Sequence, residues 1–169
     1  MADLAAYDAA AWQRLFDYYH PRLYRFAYAR TGDQHAAEEV AAEVFVAAAQ
    51  AIRRYKPGGA PFAAWLYRIA RNKTADHLRR RRDRPVISLE AVELAAGAWS
   101  GNVDEAADIA VALRRLTRDQ QEVIILRFFG DCSLQVAAAT LGKSVGAVKL
   151  LQHRALQSLR RILTAGGRS

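Results

Sequence analysis

Residues 133–149 constrain the fold more tightly than any other segment of this chain. Ala138, Gly142 and Val148 stand at offsets 0, +4 and +10, the spacing of a helix-turn-helix, and each has a steric task. The small alanine lets two helices cross closely, Gly142 takes the left-handed conformation of the turn, and Val148 packs back on the first helix. Ser144 is placed to cap the second helix. At about 100° per residue, that helix sends Val145, Val148, Leu151, Ala155, Leu159 and Ile162 to one side. Lys149, Leu150, His153, Arg154, Gln157, Arg160 and Arg161 fall on the other. The basic side begins at the helix N-terminus, the end that enters the major groove in this motif. A solvated face with surplus arginine would show the same charges, so the turn spacing carries the argument.

The rest of the chain agrees with an all-α fold. Alanine, leucine and arginine are abundant, while β-branched runs and Asn-Gly or Asp-Gly hairpin signals are scarce. Helices are expected near 105–115, 118–129, 133–141 and 144–163. Upstream, Asp8 caps a helix from about Ala9, and Pro21 marks the start of a second helical piece. Thr31-Gly32-Asp33 ends that piece, and helix 34–54 follows. A loop from Tyr55 to Ala60 then leads to Pro61, which opens a helix reaching about Arg82.

Charge divides the chain into three. Residues 1–85 hold 15 Lys/Arg and 9 Asp/Glu; residues 86–104 hold no Lys/Arg and the acids Glu90, Glu93 and Asp104; residues 105–169 hold 10 Lys/Arg and 5 acids. Two small helical domains, 1–85 and 105–169, joined by an acidic flexible linker at 86–104, follow from this pattern. The net charge of +8 directs the protein toward nucleic acid, anionic lipid or an acidic partner. One cysteine, Cys132, and four scattered histidines offer no disulfide and no metal-ligand spacing. No metal, cofactor, nucleophile–base set or phosphate-cradling glycine loop is expected, so the chain reads as a binding protein and not an enzyme. It carries no apolar stretch of membrane-spanning length and no signal peptide, which predicts a cytoplasmic protein.

Five segments together resemble one family. Leu116-Thr-Arg-Asp-Gln-Gln-Glu-Val-Ile-Ile-Leu-Arg-Phe and Val145-Gly-Ala-Val-Lys-Leu-Leu-Gln-His-Arg-Ala are similar to the promoter −35-binding domain, or region 4, of extracytoplasmic-function sigma factors. Leu15-Phe-Asp-Tyr-Tyr-His-Pro-Arg-Leu-Tyr-Arg-Phe, Ala37-Glu-Glu-Val-Ala-Ala-Glu-Val-Phe and Phe62-Ala-Ala-Trp-Leu-Tyr-Arg-Ile-Ala-Arg-Asn resemble segments of its −10-binding domain, region 2. The likeness covers residues 12–84 and 110–163. It departs from the family's pattern at Leu150-Leu151-Gln152, where Ser-Arg-Leu is frequent, and at Ala42, where glutamine often precedes the acid.

The resemblance implies a subunit that joins core RNA polymerase, recognises −35 and −10 elements and helps open the strands. Glu39, Glu43, Val46 and Gln50 would meet the β′ clamp coiled coil, the second domain would meet the β flap, and an anti-sigma factor would silence the free protein. Lys149, Leu150, His153, Arg154 and Ser144 are the −35 candidates. Tyr55, Lys56, Phe62, Trp65, Arg68, Arg71, Asn72 and Arg79 are the −10 candidates: aromatics for an unstacked base, arginines for phosphates, Asn72 for a base edge. Trp65 borders the apolar stripe of Phe62, Leu66 and Ile69, so a core role stays open for it. Cys132 reads as a small core filler. A dimeric helix-turn-helix regulator explains 110–163 but not the arginine face on helix 61–82. A helical adaptor with a basic surface for acidic proteins or membranes is a further alternative.

Overall fold

The computed structural model describes residues 2–81, 90, 92 and 103–166. Among them are eight α-helices and no strand. The first domain holds α1 (Ala2–Ala5), α2 (Ala9–Thr31), α3 (Gln34–Ala51), a 3₁₀ turn (Ile52–Arg54) and α4 (Phe62–Arg81). The second holds α5 (Val103–Arg114), α6 (Arg118–Ile124) with a π turn at Ile125–Phe129, α7 (Leu134–Leu141) and α8 (Val145–Gly166). Within the expected flexible linker 86–104, Glu90, Val92, Val103 and Asp104 are helical and Val92 is buried; the rest of that segment lies outside the described residues.

The helix boundaries follow local chemistry. Asp8 accepts the Ala11 N–H at 2.7 Å, and Asp33 does the same for Ala36 at 2.7 Å. Each carboxylate satisfies an N–H that the first turn leaves without a partner. Gly32 closes α2 with φ 64°, donating its N–H to the Tyr28 carbonyl. Thr117 and Gln120 cap α6 reciprocally.

One boundary differs from the sequence expectation. Pro21 does not start a new helix; α2 runs through it from Ala9 to Thr31. Proline removes one N–H and crowds the preceding turn, but the helix is held from outside that turn. Leu23, Phe26, Ala27 and Ala29 are all buried, and the Arg22 guanidinium donates to the Tyr18 carbonyl at 2.6 Å. Tertiary packing thus outweighs a local break.

α2, α3 and α4 pack on one another through α3's small-residue face of Ala37, Val40, Ala41, Val44 and Ala48, against Leu66 and Ala70 of α4. Small side chains permit this close approach. In the second domain Val148 and Ala155 of α8 are completely buried, and Ala137 and Ala138 of α7 join them in the core. Val145, expected on the inward side, is 41% exposed. It is the first residue of α8, where the helix has only begun to approach its neighbours.

The two domains pack against each other. Leu23, Phe26 and Tyr67 share a hydrophobic cluster with Leu126, Phe129 and Cys132. The Tyr67 ring meets Phe26 edge-on at 5.5 Å, and its hydroxyl donates to the Gly130 carbonyl at 2.5 Å. The π turn makes this possible: Gly130 N–H bonds back to Ile125 O, and Cys132 N–H to Leu126 O. That widened turn carries residues 129–131 onto α2, where Arg25 donates to Phe129 O at 3.2 Å and Arg22 pairs with Asp131 at 3.2 Å.

Leu66, fully buried, and Leu150, 48% exposed, set a contrast for stability. Leu66→Ala is expected to cost about 2–5 kcal/mol, and Leu150→Ala less than about 0.5 kcal/mol. Urea denaturation of both variants measures the difference.

Candidate nucleic-acid and polymerase interface

The helix-turn-helix has the geometry its spacing requires. Ser133 caps α7 by accepting Val136 N–H at 3.1 Å. Gly142 has φ 65° and donates to Ala138 O, a left-handed turn that a side chain would strain. The Ser144 hydroxyl accepts Ala147 N–H at 3.1 Å and caps α8. Lys149, Leu150, His153 and Arg154 are all exposed on the first turns of α8. Gln152 is turned inward and accepts a hydrogen bond from Arg127 at 2.8 Å, which ties α8 to the π turn and fixes its outward face.

On α3, Glu39, Val46 and Gln50 are exposed. Glu43 is half-buried and pairs with Lys73 at 3.4 Å and Arg80 at 3.3 Å, both on α4. Glu39 lies 3.7 Å from Nδ1 of the buried His77. The strip is therefore acidic and apolar, with one carboxylate engaged by the neighbouring helix. Val46, 57% exposed, is its apolar centre.

The loop before α4 brings three of the expected aromatics together. Tyr55, Phe62 and Trp65 have ring centroids 5.3 to 5.5 Å apart, and each ring is half-buried. The Tyr55 hydroxyl donates to Ala60 O at 3.1 Å, closing the loop on itself. Trp65 thus belongs to a satellite core beneath the loop while keeping part of its surface open. Lys56 and Asn72 are exposed, and Arg79 is exposed and paired with Asp76.

Arg68 and Arg71 occupy a different setting. Arg68 donates through Nε to the Ala139 carbonyl at 3.1 Å, and Arg71 reaches Thr140 O at 3.4 Å. Both acceptors lie in the last turn of α7, where helix carbonyls lack intrahelical partners and carry partial negative charge. Arg71 also binds Glu122 at 3.1 Å, and Arg30 binds the other oxygen of that carboxylate at 2.5 Å. The second domain therefore covers part of α4's arginine face, leaving Arg68 exposed and Arg71 half-buried.

Arg30, Tyr67 and Glu122 were not singled out from sequence. A signal existed for Glu122, a carboxylate immediately before the run Val123-Ile-Ile-Leu, where burial demands a cationic partner. Burial pushes its carboxyl upward, but Arg30 and then Arg71 outweigh burial and hold it below the usual range. Cys132 is buried and donates to the Gly130 carbonyl at 3.8 Å, and desolvation pushes its thiol up to about 12 despite the nearby Tyr67 hydroxyl, which acts the other way. It is an inert packing residue at the domain contact.

The chain matches two sigma-70 family models in order, region 2 over residues 15–84 and region 4 over residues 112–161. It is 33% identical to the ECF RNA polymerase sigma factor SigD of Mycobacterium bovis, over 99% of this chain and 84% of SigD. The chain belongs to the extracytoplasmic-function sigma factors. It is also 36% identical to the ECF sigma factor BldN of Streptomyces coelicolor, over 92% of this chain, and spans 61% of BldN's length. Among solved structures, CnrH in complex with the cytosolic domain of CnrY is similar, with TM-score 0.70 and 29% identity over 97% of this chain and 94% of CnrH. No described helix of this sigma factor is long and apolar enough to cross a membrane.

The lowered Glu122 carboxyl has a consequence for pH. A group whose folded value lies below its unfolded one contributes stability that is present above the unfolded value and lost as pH falls through the folded one. The domain contact is expected to weaken as pH drops below the ordinary carboxylate range. Glu122→Gln should remove that part of the dependence. Thermal melts of both proteins between neutral and acid pH check this; parallel profiles would refute it.

Proposed function

We propose that this sigma factor binds core RNA polymerase and directs it to promoters carrying specific −35 and −10 elements. The observation that carries the reading is the exposed group Lys149, Leu150, His153 and Arg154 at the capped start of α8, with a second, arginine-bearing helix, α4, in the preceding domain. α8 enters the −35 major groove by its N-terminal turns. Lys149, Arg154 and His153 donate to guanine or phosphate, and Leu150 contacts a thymine methyl. The Ser144 cap presents the helix end.

α4 and the loop before it act on the −10 element. Arg68, Arg71 and Arg79 hold phosphates, and Asn72 reaches a base edge. The half-exposed cluster of Tyr55, Phe62 and Trp65, beside Lys56, takes an unstacked base. Stacking of about 1–3 kcal/mol per base offsets the few kcal/mol that unstacking costs. Polymerase docks by its β′ clamp coiled coil on Glu39, Glu43, Val46 and Gln50, and by its β flap on the second domain. Phosphates would be repelled by the glutamates, so this strip suits a protein. The polymerase supplies the chemistry and this subunit performs none. It acts in the cytoplasm, with residues 1–85 and 105–169 as its two recognition domains.

An anti-sigma factor is the proposed negative regulator. The exposed Val46, Phe16 and Tyr18 supply apolar surface for a protein partner, and the similar CnrH is held by the cytosolic domain of CnrY.

Transcription by purified core polymerase plus this chain on a promoter library, with start sites mapped, tests the reading. Absence of chain-dependent starts would overturn it. Arg154→Ala should cost about 1–3 kcal/mol and relax preference at one −35 position. Leu150→Ser should change the preferred base and leave polymerase binding intact. Arg161→Ala should weaken all promoters alike and lower the salt slope by at most about one unit. Holoenzyme affinities for single-base −35 variants at two salt concentrations measure all three.

A further inference from the structure

Glu122 and the two guanidiniums around it form a cluster that the promoter-reading residues absorb only in part. Arg30 stands near the end of α2 and Arg71 on α4, and they grip the two oxygens of one carboxylate contributed by the other domain. The Arg30 side chain is only 12% exposed. Its Nε is buried and has no hydrogen-bond partner. A guanidinium offers five donors in a planar fork suited to carboxylates and phosphates alike. With one carboxylate shared between two such forks, at least one donor is left over. A phosphodiester, with two anionic oxygens and two bridging ones, presents more acceptors than the carboxylate and the same charge.

The surroundings point the same way. Beside this cluster Arg68 donates to Ala139 O and Arg25 to Phe129 O, both in the second domain. Separation of the domains would free all four arginines at once, on adjoining parts of α2 and α4. The acceptors that satisfy them now are a carboxylate, the carbonyl end of α7 and a carbonyl of the π turn, the kinds of acceptor that a nucleic-acid backbone replaces.

We propose that Arg30 and Arg71 form a binding site for a DNA backbone phosphate, and that Glu122 occupies this site in the free chain. The proposal rests on the sigma-factor reading and deepens it. It adds Arg30 to the DNA contacts of the first domain, and it makes the closed chain resistant to DNA until the second domain moves away. Polymerase, by holding the two domains on separate surfaces, would vacate the site.

The full chain carrying Glu122→Gln, Arg30→Gln or Arg30→Lys tests this. For the free chain, small-angle scattering gives the radius of gyration, and anisotropy gives affinity for a fluorescein-labelled single-stranded DNA of mixed sequence. Glu122→Gln should expand the chain and tighten DNA binding several-fold. An unchanged radius and affinity, or expansion without tighter binding, would overturn the occupancy of the site. In the holoenzyme, Arg30→Gln should reduce the salt slope of promoter binding by about 0.7–0.9 of a unit, and Arg30→Lys should keep it. A full slope in Arg30→Gln overturns the phosphate contact. Thermal melts establish that each variant is folded, and Arg30→Lys retains the charge should Arg30→Gln fail to fold; a slope lost in folded Arg30→Lys also counts against a charge contact. Failure of the unsubstituted chain to form a holoenzyme would refute the sigma-factor reading instead, while the free-chain measurements would still decide the occupancy.

Discussion

The closed form of this protein depends on a single buried carboxylate. The Glu122 side chain is 7% exposed and lies between Arg30 and Arg71, so its charge is tolerated in the closed form because both guanidiniums reach it. Removing one partner of such a group leaves an uncompensated buried charge, which costs several kcal/mol. Separating the domains is different, because all three groups return to water and recover their hydration. The triad is therefore a poor source of net stability and a good discriminator of arrangement. It penalises any docking that misaligns the three groups, and it permits complete release.

The contacts around it share that character. Tyr67 to Gly130, Arg25 to Phe129, and Arg68 to Ala139 all end on backbone carbonyls. Carbonyl acceptors hold their place through the π turn and the end of α7 whatever side chains occupy those positions. The apolar part is centred on Leu23, Phe26, Tyr67, Leu126 and Phe129. A contact that combines such an apolar patch with hydrogen bonds that water can replace suits two domains that must dock and part.

The helix-turn-helix was legible because it depends on local sterics. Ala138, Gly142, Val148 and Ser144 each answer a requirement set within a few residues of itself, and the structure meets all four. The outward face of α8 followed from periodicity for the same reason. Pro21 was misleading because a local rule was set against burial of Leu23 and Phe26, and burial prevailed. The arrangement of the arginines on α4 was only half legible. Helical spacing put Arg68 and Arg71 on one face, but their partners lie in a segment at least 51 residues away in the chain. No periodicity within α4 encodes a carboxylate on α6. The one available hint was Glu122 beside an apolar run, and a charge in that position calls for a partner without naming it.

These observations bear on how polymerase would select the open chain. A closed form favoured by a few kcal/mol leaves the open form a minor population, and a binding partner shifts that balance only by its differential affinity for the two states. The α3 strip of Glu39, Val46 and Gln50 is exposed in the closed form, so a contact there alone has no preference between them. The preference must come from surfaces that closure hides or misplaces: the α4 face under Arg68 and Arg71, and whatever geometry fixes α8 relative to α4. Simultaneous engagement of both domains at separate points satisfies that condition, because the two sites reinforce each other only when the chain between them is extended. On the proposed reading α3 provides the first contact with polymerase and the second domain the other, and the arginines of α4 would become available to DNA only after both are made.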